Sequence, residues 1–118
     1  MAFHCHQPIV NFDQVFEEAT QKAYDPFLTV LEEHPHIKVT LHYSGCLFDW
    51  LKEKKPHFIR RIAALVAKGS VELLGGGYYE PILPIIPEED RLGQLSRMSQ
   101  FLKKTFDVEP KGDRKSVV

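Results

Sequence analysis

The chain of 118 residues lacks a long apolar run, a cysteine pattern and an excess of charge. Crossing a membrane takes ~20 consecutive apolar residues, so no membrane span is predicted. A formal net charge of −1 gives no electrostatic reason to expect nucleic acid or an anionic membrane surface as partner. Cys5 and Cys46 are too few for a disulfide framework or a zinc motif, and we interpret them as free thiols. With no signal-peptide pattern, a cytoplasmic protein is expected.

Nucleotide-binding loops are also missing. The run Gly75 to Gly77 lacks the spacing of a dinucleotide loop and has no lysine of a phosphate loop. Hydrophobic residues make up 43% of the chain and charged residues 26%, which is typical of a soluble globular protein. The length allows at most one ordinary domain, or a piece of a larger one.

Strand and helix patterns alternate along the sequence. Strands are predicted at Ala2–Cys5, Ile37–Tyr43 and Ser70–Leu74 from short apolar or alternating segments. Helices are predicted after each strand. They run from Asp13 to about Glu33 with a kink or split at Pro26, from about Leu47 to Lys68 with a break at Pro56, and from Pro87 to about Phe106. Asp13 is the expected cap of the first helix. This alternation indicates an α/β fold built from parallel βα units.

The end of the sequence departs from this pattern. After "VEPKG" the chain reads "DRKSVV", which predicts neither a strand nor a helix. We therefore expect a domain over residues 1–112 and an atypical tail over residues 113–118 that is not the native continuation. The domain itself is expected to be cut short at both ends.

Polar side chains are predicted to meet at one edge of the sheet. His4 and His6 alternate along the first strand, Thr40 and His42 along the second, and Glu72 lies on the third. In α/β folds the chemistry gathers at the carboxyl ends of the strands. Isolated burial of such groups would cost about 1–3 kcal/mol each, whereas a shared cleft lets them pair with one another or with a hydroxyl-rich ligand.

Other interpretations of these residues remain open. His42 alone is more often a satisfied core histidine, and Glu72 alone is more often a solvated carboxylate. The pair His4 and His6 also resembles the His-x-His strand with which metal-dependent amide hydrolases hold a divalent ion. No aspartate follows closely, so the remaining ligands would have to lie beyond residue 118.

Several longer motifs resemble one known family. They are "FHCHQP", "VTLHYSG" followed by "LFDWL", "KGSVELLGGGYYEPILPIIPEEDRLGQL" and "PKG". Together, from Phe3 to Gly112, they resemble the amino-terminal catalytic domain of glycoside hydrolase family 57. This family contains α-amylases, 4-α-glucanotransferases, amylopullulanases, α-galactosidases and branching enzymes. The run "YYEPILPIIPEEDR" most resembles the glucanotransferase and α-amylase members.

The resemblance implies a fold, a reaction and a set of binding residues. The fold would be the first half of an incomplete (β/α)7 barrel of the TIM type, and the reaction a retaining attack on α-glucans or maltooligosaccharides without a metal or cofactor. The histidines and amide of the first motif would contact sugar hydroxyls, and the later tyrosine would stack on a sugar ring. The predicted substrate-binding residues are His4, His6, Gln7, Glu72, Tyr79 and Glu80.

The same resemblance implies that the catalytic residues are missing. In the family, a tryptophan-led strand with the glutamate nucleophile follows "PKG", and the acid/base aspartate lies far downstream. This chain has "DRKSVV" at that place. We therefore predict a fragment of a glycoside hydrolase or 4-α-glucanotransferase without turnover. The alternatives are a metal-dependent amide hydrolase fragment that uses His4 and His6, and a non-catalytic carbohydrate-binding or inert piece.

Overall fold

The computed structural model describes residues 1–7 and 11–114 and contains a three-stranded parallel sheet in the order β1-β2-β3. Its strands are β1 (Ala2–Cys5), β2 (Val39–Tyr43) and β3 (Val71–Leu73). The predicted α/β fold with parallel strands is confirmed, with β2 and β3 shorter than expected. The turn expected at Pro8 and the last four residues of the predicted tail lie outside the described residues.

Five α-helices follow the strands in the described part of the chain. The breaks at proline were predicted: α4 begins at Pro56, because this ring cannot donate to a preceding carbonyl. The glycine expected to end this helix is Gly69, which follows α4 with a left-handed φ of 79°. None of the described helices has the length and apolar character needed to cross a membrane. The helices are α1 (Asp13–Ala19), α2 (Asp25–Glu33), α3 (Gly45–Lys54), α4 (Pro56–Ala67) and α5 (Glu88–Phe106).

The first helical region differs from the prediction at its cap and agrees with it near Pro26. Phe12, not Asp13, is the amino-terminal cap residue of α1, and Asp13 is already helical. The expected interruption near Pro26 is present: the π turn Thr20–Tyr24 lies between α1 and α2, and Pro26 lies in the first turn of α2. The wider turn precedes a residue without an N–H group, where the ordinary helical hydrogen bond could not form.

The two faces of the sheet differ in chemistry. Leu41 and Leu73 are paired neighbours on β2 and β3, and both are buried in the core with α3 and α4 residues such as Leu47 and Ile62. Side chains alternate along a strand, so the residues next to each leucine along its own strand point to the opposite face. That face carries the predicted polar groups and is the one that positions the site.

A second, smaller sheet contradicts the expectation for the end of the chain. β4 (Gly75–Gly76) pairs in parallel with β5 (Asp113–Arg114), and the Gly75 N–H donates to the Gly112 carbonyl at 2.9 Å. The prediction that no strand follows Gly112 is therefore wrong for these two residues. That the segment 113–118 is not the native continuation stays a prediction.

Candidate functional site

Three histidines and one glutamate form a cluster at the carboxyl ends of β1 and β2. We call His4, His6, His42 and Glu80 the histidine cluster. His4 Nδ1 lies 2.8 Å from His42 Nδ1, and His4 Nε2 lies 3.3 Å from Glu80 Oε1. His6 Nδ1 lies 2.5 Å from Glu80 Oε2. The cluster thus joins residues up to 76 positions apart in the chain, from His4 to Glu80, around one carboxylate.

The strand register explains why the imidazoles meet. His4 on β1 is the direct partner of His42 on β2, and aligned residues of parallel strands point to the same face. Their ring centroids are 4.9 Å apart, and the His4 and His6 rings stack at 5.8 Å. The side chain of His42 is 2% exposed, whereas those of His4 and His6 are 30% and 41% exposed. The outer two histidines can therefore contact a ligand.

The short contact between His4 and His42 restricts the hydrogens of the cluster. Two ring nitrogens at 2.8 Å share one hydrogen, so one ring donates and the other accepts. If His42 donates, the neutral His4 ring carries its hydrogen on Nε2 and can donate to Glu80. If His4 donates, its Nε2 either carries no hydrogen or belongs to an imidazolium. The Glu80 carboxylate beside Nε2 is an acceptor and favours the states in which Nε2 carries a hydrogen.

The loop that carries Glu80 is held against the start of α3. The Gly45 N–H donates to the Tyr78 carbonyl at 2.7 Å, and a Cβ at position 45 would lie 2.3 Å from the Tyr78 ring. The Tyr78 hydroxyl donates to Asp49 Oδ1 at 2.5 Å. Burial raises the pKa of Tyr78 above its usual range, and the Asp49 carboxylate adds to this effect. Tyr78 is thus a neutral donor that fixes the loop.

Glu80 itself has an unusual backbone conformation. Its φ of 54° lies in the left-handed region, which non-glycine residues adopt rarely and mostly where the surrounding structure holds them. The Glu80 N–H donates to the Gly77 carbonyl at 3.1 Å, closing a tight turn. This turn directs the carboxylate back to the histidines.

Gln7 lies beside the cluster, with its amide oriented by two neighbours. Its Nε2 donates to the Tyr24 hydroxyl at 3.1 Å, and its Oε1 accepts from Asn11 Nδ2 at 2.8 Å. The Tyr24 hydroxyl in turn donates to the His6 carbonyl at 3.1 Å. A carboxamide has two donor hydrogens and two acceptor lone pairs, so one of each remains for a ligand. Sequence reasoning did not identify Tyr24 and Asn11 as part of this arrangement.

Glu72 shares the face of the cluster but lies apart from it. It pairs with Thr40, two residues before His42 on β2, whereas His6 lies two residues beyond His4. Glu72 and His6 are therefore separated by two strand spacings, about 10 Å, and by four residues along the strand direction, about 13 Å. Among the described residues, the group that contains His4 and His6 takes its carboxylate from Glu80, not from Glu72. Any role for Glu72 in binding substrate stays a prediction.

Tyr79 contacts side chains outside the histidine cluster. Its ring lies 5.1 Å from that of Tyr78, and the Arg97 guanidinium lies 4.9 Å from its centroid. The Tyr79 N–H donates to Gln94 Oε1 at 2.8 Å. Tyr79 also lines a cavity of about 240 Å³ next to Asn11 and Cys46. Stacking of this ring on a sugar stays a prediction.

The two thiols are chemically quiet. Burial raises the pKa of Cys5 to about 11, and burial also raises the pKa of Cys46. A cysteine acts as a nucleophile or a metal ligand in its thiolate form. Both groups are therefore protonated at neutral pH, and the reactive atoms of the site are nitrogens and oxygens.

Sequence comparisons identify the relatives of the chain. The profile described as glycosyl hydrolase family 57 matches residues 1–115. An α-amylase of Pyrococcus abyssi is 52% identical over 101 residues, which are 86% of this chain and 15% of the relative. A 4-α-glucanotransferase of Thermococcus litoralis is 44% identical over 101 residues, with the same two shares. The chain thus spans about 15% of the length of these curated relatives.

Structure comparisons agree. The crystal structure of the 4-α-glucanotransferase from Thermococcus litoralis matches 98% of this chain and 18% of its own, with a TM-score of 0.95 and 40% identity. A branching enzyme from Thermococcus kodakaraensis matches 98% of this chain and 32% of its own with a TM-score of 0.82, and at 15% identity it shows the fold alone. The resemblance read from the motifs is confirmed: the chain belongs to glycosyl hydrolase family 57.

Proposed function

We propose that this chain supplies the amino-terminal, sugar-binding part of an enzyme that hydrolyses α-glucans or transfers 4-α-glucan segments. The names of its relatives, α-amylase and 4-α-glucanotransferase, support this substrate class. The parallel sheet and its helices would form the first half of an incomplete (β/α)7 barrel. The substrate would be an α-glucan or a maltooligosaccharide, and the location cytoplasmic.

The observation that carries the proposal is the donor and acceptor set of the histidine cluster. A sugar hydroxyl both donates and accepts hydrogen bonds, and so does a neutral imidazole through its two nitrogens. Glu80 adds a carboxylate, whose hydrogen bonds are stronger than those between neutral groups. His4 and His6 are exposed at this edge, and Gln7 is partly buried beside them. Such a set suits the neighbouring hydroxyls of a pyranose.

The cluster does not supply the reaction itself. A retaining glycosidase needs two carboxyl groups about 5–5.5 Å apart, one as nucleophile and one as acid and base. The histidine cluster contains one carboxylate, and nitrogens of all three imidazoles lie 2.5 to 3.6 Å from it. We infer that Glu80 binds and orients the sugar and that both catalytic carboxyl groups belong to another part of the enzyme.

Replacing Glu80 with glutamine is expected to weaken maltotriose binding about tenfold or more. A hydrogen bond to a charged group is worth about 1.5–3 kcal/mol, and the amide retains the shape but not the charge. Isothermal titration calorimetry of the 118-residue chain measures the loss. Glu88→Gln, at an exposed position in the first turn of α5, is the matched control. Equal affinity of wild type and Glu80→Gln would remove Glu80 from the sugar site.

The chain is expected to bind maltooligosaccharides without cleaving or transferring them. No shorter or longer glucans are expected to form, because the cluster lacks the second carboxyl group that a retaining mechanism uses. Chromatography of maltoheptaose incubated with the purified chain measures this. Product formation that disappears in Glu80→Gln would contradict the assignment and make Glu80 a catalytic residue.

The alternatives from other classes differ in their support. A metal-dependent amide hydrolase is disfavoured as a class, because the chain belongs to a glycosyl hydrolase family. A carbohydrate-binding piece without activity remains compatible with the cluster and is distinguished by restoring the adjoining part of the barrel. Activity that appears on restoration, and is weakened by Glu80→Gln, supports the enzyme.

A further inference from the structure

We propose that His4, His6 and Glu80 bind a divalent transition-metal ion, represented here by zinc, and that this ion competes with the sugar. Metal binding goes beyond the proposed function and does not depend on it. The competition does rest on the proposed function, because it assumes that the sugar uses the same three side chains.

The first support is the arrangement of possible ligand atoms. One nitrogen from each of His4 and His6 and one oxygen from Glu80 all lie within 4.8 Å of one another. Two ligands bound to zinc at about 2.0–2.1 Å in a tetrahedral site are about 3.3 Å apart. The His4 Nε2–Glu80 Oε1 distance is already 3.3 Å. The His6–Glu80 hydrogen bond of 2.5 Å would have to open, which the exposed His6 side chain permits.

The second support is the chemistry of the three groups. Two imidazoles and one carboxylate form a recurrent three-ligand zinc set that leaves the fourth position for water or a ligand. Imidazole nitrogens favour zinc, copper and nickel, whereas magnesium and calcium prefer oxygen ligands. The site should therefore select transition metals over the abundant hard cations.

The third support is the position of His42. A histidine that binds zinc usually donates its other ring nitrogen to a neighbour, which fixes the ring and its tautomer. His4 Nδ1 lies 2.8 Å from His42 Nδ1, on the side of the ring away from Glu80. When His4 donates there, its Nε2 lone pair faces the carboxylate. A cation between these two acceptors compensates their repulsion, so the metal takes the place that a proton otherwise fills.

Competition follows from the atoms involved. A metal ion occupies the His4 and His6 nitrogens and a Glu80 oxygen, which are the atoms proposed to bond the sugar hydroxyls. Both ligands cannot use these lone pairs at once. Zinc would thus act as a reversible inhibitor of glucan binding at this edge.

The test is titration of the 118-residue chain with zinc chloride by isothermal titration calorimetry. One ion per chain is expected, with little heat from magnesium or calcium chloride. His6→Ala and Glu80→Gln should each weaken zinc binding by roughly a hundredfold, since loss of a mere outer partner already costs about 10–100-fold. Circular dichroism of each variant establishes that it folds, and His6 is exposed enough for the substitution to be tolerated. Wild-type affinity in both variants would overturn the proposal.

Three other side chains that could bind a metal ion need controls. His34 and His36 are an exposed pair with ring centroids 5.9 Å apart, so the double variant His34→Ala/His36→Ala should retain zinc binding. Cys46 is tested by replacing zinc with cobalt, whose absorption spectrum shows whether sulfur is a ligand. A cobalt spectrum without a sulfur charge-transfer band, unchanged in Cys46→Ser, supports nitrogen and oxygen ligands. Loss of zinc binding in the double variant, or a sulfur band, would overturn the assignment.

Maltotriose separates the metal site from the sugar site. Saturating maltotriose should lower the apparent zinc affinity, and a chelator should restore maltotriose binding in the presence of zinc. Zinc binding that His6→Ala removes but maltotriose does not affect would support the metal site and overturn the competition. Maltotriose binding with no zinc binding would overturn the metal site and leave the proposed function standing.

Discussion

Gly45→Ala is expected to destabilise the chain by about 1–3 kcal/mol or more and to move Glu80 away from the histidines. An added Cβ would lie 2.3 Å from the Tyr78 ring and 2.4 Å from its carbonyl oxygen. Forced overpacking in a closed site costs energy of this order, and backbone atoms cannot move aside as a flexible side chain can. The hydrogen bond from the Gly45 N–H to the Tyr78 carbonyl would lengthen, and the loop that carries Glu80 would be displaced from α3. Urea denaturation measures the stability, and maltotriose titration measures the site.

Gly93→Ala provides the opposite expectation in the same chain. A Cβ at Gly93, inside α5, meets nothing within 4 Å. Alanine is about 0.8–1 kcal/mol more favourable than glycine in a helix, so this variant should be more stable. Sugar binding should remain unchanged. If both variants changed stability alike, close contact at Gly45 would not be the cause.

Leu41→Ala is expected to cost about 2–5 kcal/mol of unfolding free energy. Leu41 is fully buried at the centre of β2, with Phe3 and Leu73 as its paired neighbours on β1 and β3. Truncation removes apolar contacts and leaves a cavity between the sheet and the helices that cover this face, which relaxation closes only in part. Thermal or urea denaturation measures the loss.

Thr40→Ala tests the same strand on its other face. Thr40 precedes Leu41, is partly exposed, and its N–H donates to the Met1 carbonyl, a bond that alanine keeps. A loss below about 1 kcal/mol is expected, as for a substitution in a strand outside the core. A Thr40→Ala effect as large as that of Leu41→Ala would contradict the assignment of helix-covered and open faces.

The sequence was enough to predict the part of the site that strands build. Alternation placed His4 and His6 together, and the parallel arrangement brought His42 to the same face. The alternation follows from the two-residue period of a strand, which is visible in the sequence alone. The parallel order also follows from the alternation of strands with helices.

The position of Glu80 could not be derived in this way. It depends on a glycine 35 residues earlier in the numbering, Gly45, whose missing side chain lets the Tyr78 segment approach. It also depends on a left-handed φ at Glu80 that sequence patterns do not encode for a glutamate. Glu72, which has a clear strand pattern, lies on the predicted face, but its level relative to His6 could not be predicted, because register is set by pairing between strands.

The short second sheet was missed for a related reason. Gly75 and Gly76 have low strand propensity, and Asp113 and Arg114 lack an apolar pattern. Each segment is a strand only because the other lies beside it. Such pairings are decided by the three-dimensional path of the chain rather than by local preference.

The π turn between α1 and α2 decides which side of the first helical region faces the core. Positions four apart advance by about 40° around an ordinary helix, since 3.6 residues complete a turn. Phe16, Thr20, Tyr24 and Leu28 follow one another at this spacing, and a turn closed over five residues reverses part of that drift. All four therefore face inward, while Val15 and Val30 remain exposed. The π turn thus sets the direction in which the Tyr24 side chain leaves the helix, so that its hydroxyl reaches Gln7.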